Sequence, residues 1–250
     1  MGKIVSIHQP SYFPWFGLLD KIIKSDIFII LDNVQFNKRA FQHRTLYSNS
    51  SGKPSYLTLP VDAKNHQKNK ILINQVLLKN SYKEVLLKHK HILKQRYGKF
   101  YGFKKYEAII NNILEKDYKY LIEIVMETFF FTLKIYDVKT KIIFASELNV
   151  EGTKSELMLN LTKAVGGNVY LSGQGAKAYM NDELFYQEGI KVIYQDFIHI
   201  EFDQKLKKDF QPGCMSIELP FLYSNFKEIF FTHYKNINQL KLVRSIQWKE

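Results

Sequence analysis

Two apolar runs frame the start of the chain. Ile4-Val5-Ser6-Ile7 has the composition of a short buried strand, and Ile27-Phe28-Ile29-Ile30-Leu31 is a continuous β-favouring stretch, as in a strand covered on both faces. Between them, residues 16–24 place apolar side chains at 16, 18, 19, 22 and 23, with Asp20, Lys21 and Lys24 in the gaps, which is helical spacing. Pro10 and Pro14 forbid regular sheet across residues 8–15 and restrict the residues before them. Strand, loop, helix and strand in this order predict a βαβ unit with parallel strands.

Further along, residues 56–61 read as a strand ended by Pro60 and a polar loop through Lys70, with Ile71-Leu72-Ile73 as its expected partner. Helical spacing dominates from Tyr82 to Tyr136, broken near Tyr97-Gly98 and Tyr101-Gly102, which predicts two or three helices. The α/β pattern then resumes. Ile142 to Phe144 is a strand, and Glu156 to Val165 a helix stopped by Gly166-Gly167. Asn168 to Leu171 is a strand running into Ser172-Gly173-Gln174-Gly175 and a helix near Ala176 to Tyr179; Gly189 to Tyr194 is another strand. Residues 210–213 form a turn and residues 217–226 a helix. The predicted fold is α/β: a Rossmann-like, mostly parallel sheet with helices on both faces. One domain spans residues 1–250, with a mainly helical insertion at about 80–136.

Composition adds a charge question. Hydrophobic residues make up 46% of the 250 positions, enough for a sizeable core, but the formal net charge is +12. Such a balance attracts anions: nucleic acid, membrane headgroups, or phosphorylated and nucleotide-linked metabolites. Much of the excess lies between Lys83 and Lys105, where Glu84 is the one acid, and a solvated helix face accounts for such a run as readily as a binding surface. No helix-turn-helix, zinc-finger or RNP-type motif accompanies it. A lone cysteine, Cys214, excludes an intramolecular disulfide and a multi-cysteine metal site, and suits a reducing compartment. No secretory pattern opens the sequence, and Phe129 to Leu133 is too short an apolar stretch to span a bilayer. The expectation is a soluble cytoplasmic protein.

Candidate chemistry gathers where strands hand over to loops, since ligands of parallel α/β sheets bind at the carboxyl ends of strands. His8 follows the first strand and Asp32 the second; if those strands are neighbours, the pair offers an imidazole oriented by a carboxylate, able to act as a general base. The structural alternative is a turn-capping histidine and a surface aspartate. Lys38, Arg39 and Arg44, with Gln9, Gln35 and Gln42 nearby, would suit a diphosphate-linked sugar, or else form a solvated basic loop. Tyr12, Phe13 and Trp15 could stack on a base or sugar, or plug the top of the sheet. The Ser172-Gly173-Gln174-Gly175 loop joins strand to helix and exposes backbone N–H groups, but lacks both the P-loop ending and the dinucleotide-binding glycine spacing. His89 and His91 are two apart and diverge on a helix, so they are not a metal pair. The opening strand and histidine loop are also similar to those of nucleotidylyl transferases, without the second histidine of their His-x-Gly-His pattern.

His8-Gln9-Pro10-Ser11-Tyr12-Phe13-Pro14-Trp15-Phe16-Gly17, followed by Asp20-Lys21-Ile22, resembles the opening signature of the WbqC-like family. The stretches Ser25-Asp26, Leu31 to Arg39, Leu57 to Val61 and Tyr170 to Tyr179 match in the expected order and spacing. A departure occurs near the end, where Glu218 stands in place of an expected aspartate and Pro220 follows. The resemblance implies a role in O-antigen or other surface-polysaccharide biosynthesis, with a glycine transferase activity proposed for some members. The function it suggests is acyl or aminoacyl transfer to the amine of a nucleotide-linked amino sugar. His8 and Asp32 would be catalytic; Gln9, Tyr12, Trp15, Gln35, Lys38, Arg39, Gln42, Arg44 and Ser172 to Gly175 would bind substrate. No metal or dinucleotide cofactor is expected; an activated acyl donor is, an aminoacyl-tRNA being one form of it. The alternatives are a non-catalytic nucleotide-sugar-binding or assembly protein, a nucleotidylyl-transferase-like enzyme, and a tRNA-binding module.

Overall fold

The computed structural model describes residues 2–49, 51, 54–62, 70–206 and 209–246. Strand β1 (Ile4–His8), helix α1 (Phe16–Ile23) and strand β2 (Ile27–Ile30) form the opening βαβ unit, with β1 and β2 parallel. A long excursion follows. It contains an antiparallel hairpin of β3 (Arg44–Ser48) and β4 (Pro54–Thr58), a second small pair of β5 (Val61–Asp62) and β6 (Leu77–Leu78), and helices α2 (Tyr82–Tyr97), α3 (Tyr101–Glu115) and α4 (Leu121–Ile135). The chain returns through β7 (Lys141–Phe144), α5 (Lys154–Ala164), β8 (Val169–Ser172), α6 (Asp182–Gln187) and β9 (Lys191–Tyr194), then closes with α7 (Glu218–Leu222) and α8 (Phe226–Asn236).

The main sheet has five strands, all parallel, in the order β7-β2-β1-β8-β9. Successive side chains of β2 enter opposite cores, as strand alternation requires. Phe28 and Ile30 join Leu18, Leu19, Ile22 and Ile23 of α1 and the helices of the excursion, while Ile27 and Ile29 join Leu157 and Leu161 of α5 and Phe185 of α6. Helices therefore cover both faces, and the uninterrupted apolar run of β2 follows from that double burial. This is the α/β, Rossmann-like architecture.

Local differences from the sequence reading have local causes. The 56–61 strand splits at Pro60 into β4 and β5. Residues 71–73 pair instead with the segment after β2, through Phe36 N–H to the Ile71 carbonyl at 2.8 Å and Ile73 N–H to the Val34 carbonyl at 2.9 Å, and a 3₁₀ turn follows. Part of the polar loop before Lys70 lies outside the described residues. The helix expected at 176–179 is a 3₁₀ turn over Gln174–Ala176, and the true helix, α6, starts beyond it with Asp182 and Glu183 in its first turn. Pro220 does not disrupt α7. It is the third residue of that helix, where the N–H it lacks would have had no partner within the helix.

The basic run is less naked than it reads. Lys83 pairs with Asp117, Lys90 with Glu115, and Lys94 with Glu107, acids supplied by α3 and the turn after it. No helix among the described residues is long and apolar enough to cross a membrane.

Candidate functional site

From β1 the chain steps to β2 and β7 on one side, then crosses to place β8 and β9 on the other. The switch point lies between β1 and β8, and ligands of open parallel sheets bind at the carboxyl ends of the strands flanking it. Here those ends are His8 and Ser172. β1 stays paired with β2 as far as His8, but its pairing with β8 stops at Ser6 opposite Leu171. Carbonyls alternate along a strand: that of His8 accepts the Leu31 N–H on the β2 side at 2.9 Å, so that of Ile7 faces the β8 side, where the strands have parted.

Lys21 of α1 occupies that position. Its Nζ donates to the Ile7 carbonyl at 2.9 Å, and the residue is only 4% exposed. No carboxylate pairs with it among the described residues, in contrast with Lys24 one turn later, which meets Asp20 at 2.7 Å. Burial pushes the Lys21 ammonium down to about 7. A buried cation without a counterion, at the switch point of the sheet, is a mark of a binding or catalytic site.

His8 adjoins it. The imidazole is exposed at the strand end; desolvation by the protein around it first, and the Lys21 charge second, lower it to about 4, against the raising effect of its bond to Gln9. Nδ1 lies 2.7 Å from the Gln9 carbonyl, which can only accept, so Nδ1 carries the proton and Nε2 presents a lone pair. Phe13, five residues on, is buried with a φ of 44°, a left-handed conformation unusual for an aromatic residue; Thr128 Oγ1 accepts from its N–H and Thr45 Oγ1 donates to its carbonyl.

Of the residues the sequence singled out, the structure gathers some and separates others. Gln9 Oε1 accepts from Gln42 Nε2 at 2.8 Å, and Gln42 Oε1 accepts from the Asn37 N–H at 3.1 Å, so the buried Gln42 ties the 33–43 loop to the residue beside His8. Lys38 and Arg39 are exposed on that loop, while Arg44 is half-buried, its Nη2 donating to the Arg39 carbonyl at 2.6 Å. Gln35 is exposed beside a bridge to Leu72. Asp32 does not orient His8. Although β1 and β2 are neighbours, its carboxylate accepts from the Ser146 N–H at 3.0 Å and the Ser146 hydroxyl at 2.7 Å, holding the turn after β7. Tyr12 is fully buried with its hydroxyl 3.1 Å from His89 Nδ1, so it belongs to the core rather than to a binding surface. Trp15 is half-buried, edge-on to Phe197 with ring centroids 5.4 Å apart. Ser172 is fully buried. Gly173 is half-buried, Gln174 and Gly175 are exposed, and Gln174 Nε2 donates to the Gln195 carbonyl. A Cβ added at Gly173 or Gly175 would meet nothing within 4 Å, so neither glycine is required by packing.

Lys21 was missed because a lysine at a gap in an amphipathic pattern reads as solvated. The signal that pointed to it was its place in the Asp20-Lys21-Ile22 part of the opening signature. Concavities lie elsewhere on the molecule. One of about 500 Å³ lies at the α3–α4 junction, lined by Asp117, Tyr118 and Phe130, and its Lys116 is already paired with Glu127. A second, of about 10 Å³ between Phe202, Phe210 and Glu218, has room for one water, which suits the unpaired Gln211 amide. Among the described residues no cluster of three or more His, Cys, Asp or Glu could hold a metal ion.

Comparison with known proteins identifies the family. Residues 9–225 match the family model described as the WbqC-like protein family. A relative described as an uncharacterized protein, Rv1507c of Mycobacterium tuberculosis (strain ATCC 25618 / H37Rv), is 26% identical over 222 residues, covering 88% of this chain and 93% of its own. No solved structure matches. Because that match spans residues 9–225, most of the chain, the chain belongs to the WbqC-like protein family.

Proposed function

We propose that this protein transfers an acyl group, aminoacyl in the simplest form, to the amine of a nucleotide-linked amino sugar. Family membership suggests a role in surface-polysaccharide biosynthesis. The observation that carries the finer reading is the pairing of His8, whose Nε2 is an open proton acceptor, with Lys21, a buried cation lacking a counterion. The amine nitrogen attacks the acyl carbonyl carbon, the bond to the donor's leaving group breaks, and the amine's proton passes to His8 Nε2 and on to the departing group. Lys21 meets the negative charge of the substrate, with Lys38 and Arg39 on the rim. An anion beside Lys21 also offsets the field that depresses His8, which makes the imidazole a better base once substrate is present.

The test is a mass-spectrometric assay of purified protein with nucleotide-linked amino sugars and a panel of glycine donors: thioester, adenylate and glycyl-tRNA. The expected result is a glycylated sugar nucleotide that disappears in His8→Ala. Absence of product from every donor, with sugar-nucleotide binding that survives His8→Ala, would instead describe a non-catalytic binding protein.

A further inference from the structure

Of the aromatic side chains offered for stacking on a ligand, Tyr12 and Phe13 are buried and Trp15 is half-buried, but two others stand at the surface. Phe41 and Tyr56 are 48% and 46% exposed, with ring centroids 6.3 Å apart and planes inclined by 41°. The Arg44 guanidinium sits against both, 5.4 Å from the Phe41 centroid and 5.0 Å from that of Tyr56. It is fixed there by the backbone, through its bond to the Arg39 carbonyl, and no acid pairs with it among the described residues. Its Nε is buried without a partner. Lys38 and Arg39, on the same loop, likewise form no ion pair among the described residues.

This patch adjoins the residues that follow His8. Phe41 is one residue from Gln42, which is bonded to Gln9, and its carbonyl accepts from the Ser11 hydroxyl at 3.4 Å. We propose that Phe41 and Tyr56, with the Arg44 guanidinium set against both rings, form a stacking surface for the base of a nucleotide whose phosphates are held by the neighbouring cations. The inference rests on the site proposed above and specifies its ligand. Exposed flat rings framed by unneutralised cations match the two halves of a nucleotide, a π-faced base and an anionic diphosphate. An apolar protein partner would leave those charges unanswered.

Isothermal titration with pyrophosphate and with UDP, dTDP, CDP, ADP and GDP separates the two ideas. At least one nucleoside diphosphate should bind about ten-fold tighter than pyrophosphate, the scale of one base stacked on an aromatic ring. Phe41→Ala/Tyr56→Ala should erase that gain while leaving pyrophosphate binding unchanged, and a cooperative thermal transition shows that the variant is folded. Arg44→Lys, which keeps the charge but not the plane, should lose part of it. Lys21→Met should weaken pyrophosphate and nucleotides alike. Nucleotides and pyrophosphate binding equally, or nucleotide affinity indifferent to the double substitution, overturns the stacking surface and leaves the proposed site standing. A base-dependent gain that ignores Lys21→Met supports the surface and removes the proposed site. No binding by any probe overturns both.

Discussion

Lys21→Met exchanges the buried ammonium for an apolar side chain of similar length, and the structure sets the size and the pH dependence of the effect. Burial lowers this group from 10.5 to about 7. A folded value below the unfolded one means that the unfolded chain binds more protons between pH 7 and 10.5, so the penalty is full below 7 and fades as pH rises toward 10.5. At about 1.4 kcal/mol per pKa unit, the buried charge costs the fold roughly 4 kcal/mol at pH 7 and about 1 kcal/mol at pH 9.5. Against this, the substitution strands the Ile7 carbonyl, costing about 1–3 kcal/mol. The variant should therefore be more stable than the native protein by about 2 kcal/mol at pH 7, and equal or less stable at pH 9.5. Urea denaturation of both proteins at the two pH values reads this directly as a shift in midpoint at constant slope. Loss of ligand affinity alongside the gain is the expected trade for a residue retained for function. A variant clearly less stable than the native protein at pH 7 would mean that the ammonium already has a counterion, and the argument for an anion site beside His8 would collapse.

Three further expectations follow from neighbouring groups. By ¹⁵N-edited NMR titration, the His8 ring should remain neutral down to about pH 4, and its midpoint should rise in Lys21→Met; a midpoint near 6.5 in both proteins would remove the coupling. Asp32→Ala should cost about 1–2 kcal/mol in chemical denaturation, because a buried carboxylate gives up two hydrogen bonds to the exposed Ser146, whose donors can turn to water, while the His8 titration stays where it was; a moved His8 midpoint would restore Asp32 as its partner. Gly173→Ala should leave stability within about 0.5–1 kcal/mol of native, since its Cβ enters open space, yet lower turnover or ligand affinity; unaltered function would mean that no ligand approaches this backbone.

The βαβ opening was legible because its elements are local and its strands are buried on both faces, so the apolar pattern is continuous. What depended on distant partners was not. Asp32 read as a companion of His8 because nothing in the sequence shows that Ser146, 114 positions away, claims its carboxylate. Tyr12 reads from its turn-like context as either a ligand contact or a plug of the sheet, and Ser172 as a ligand contact or a tight turn; burial by distant elements, which no local pattern shows, decides for the interior in both. Helix α8 carries an apolar stripe of Phe226, Phe230 and Tyr234, but it is fixed in place by contacts such as the Tyr234 hydroxyl to Asp20 at 2.6 Å. The Gln9–Gln42 bond joins two residues that the sequence already offers as candidates, and their mutual contact is what the structure adds.

The position of β1 has a consequence for how the protein assembles. Its partner on one side, β2, follows within the same βαβ unit, but its partner on the other, β8, begins at Val169, with Ile4 opposite it in register. One side of the proposed site can therefore form early during synthesis, whereas the other must wait for most of the chain to emerge. Contacts of such sequence separation slow folding, because the closing of a long loop precedes any reward from pairing. Until β8 docks, β1 offers an open apolar edge, so the proposed site is also the seam at which folding is completed and aggregation is most readily seeded.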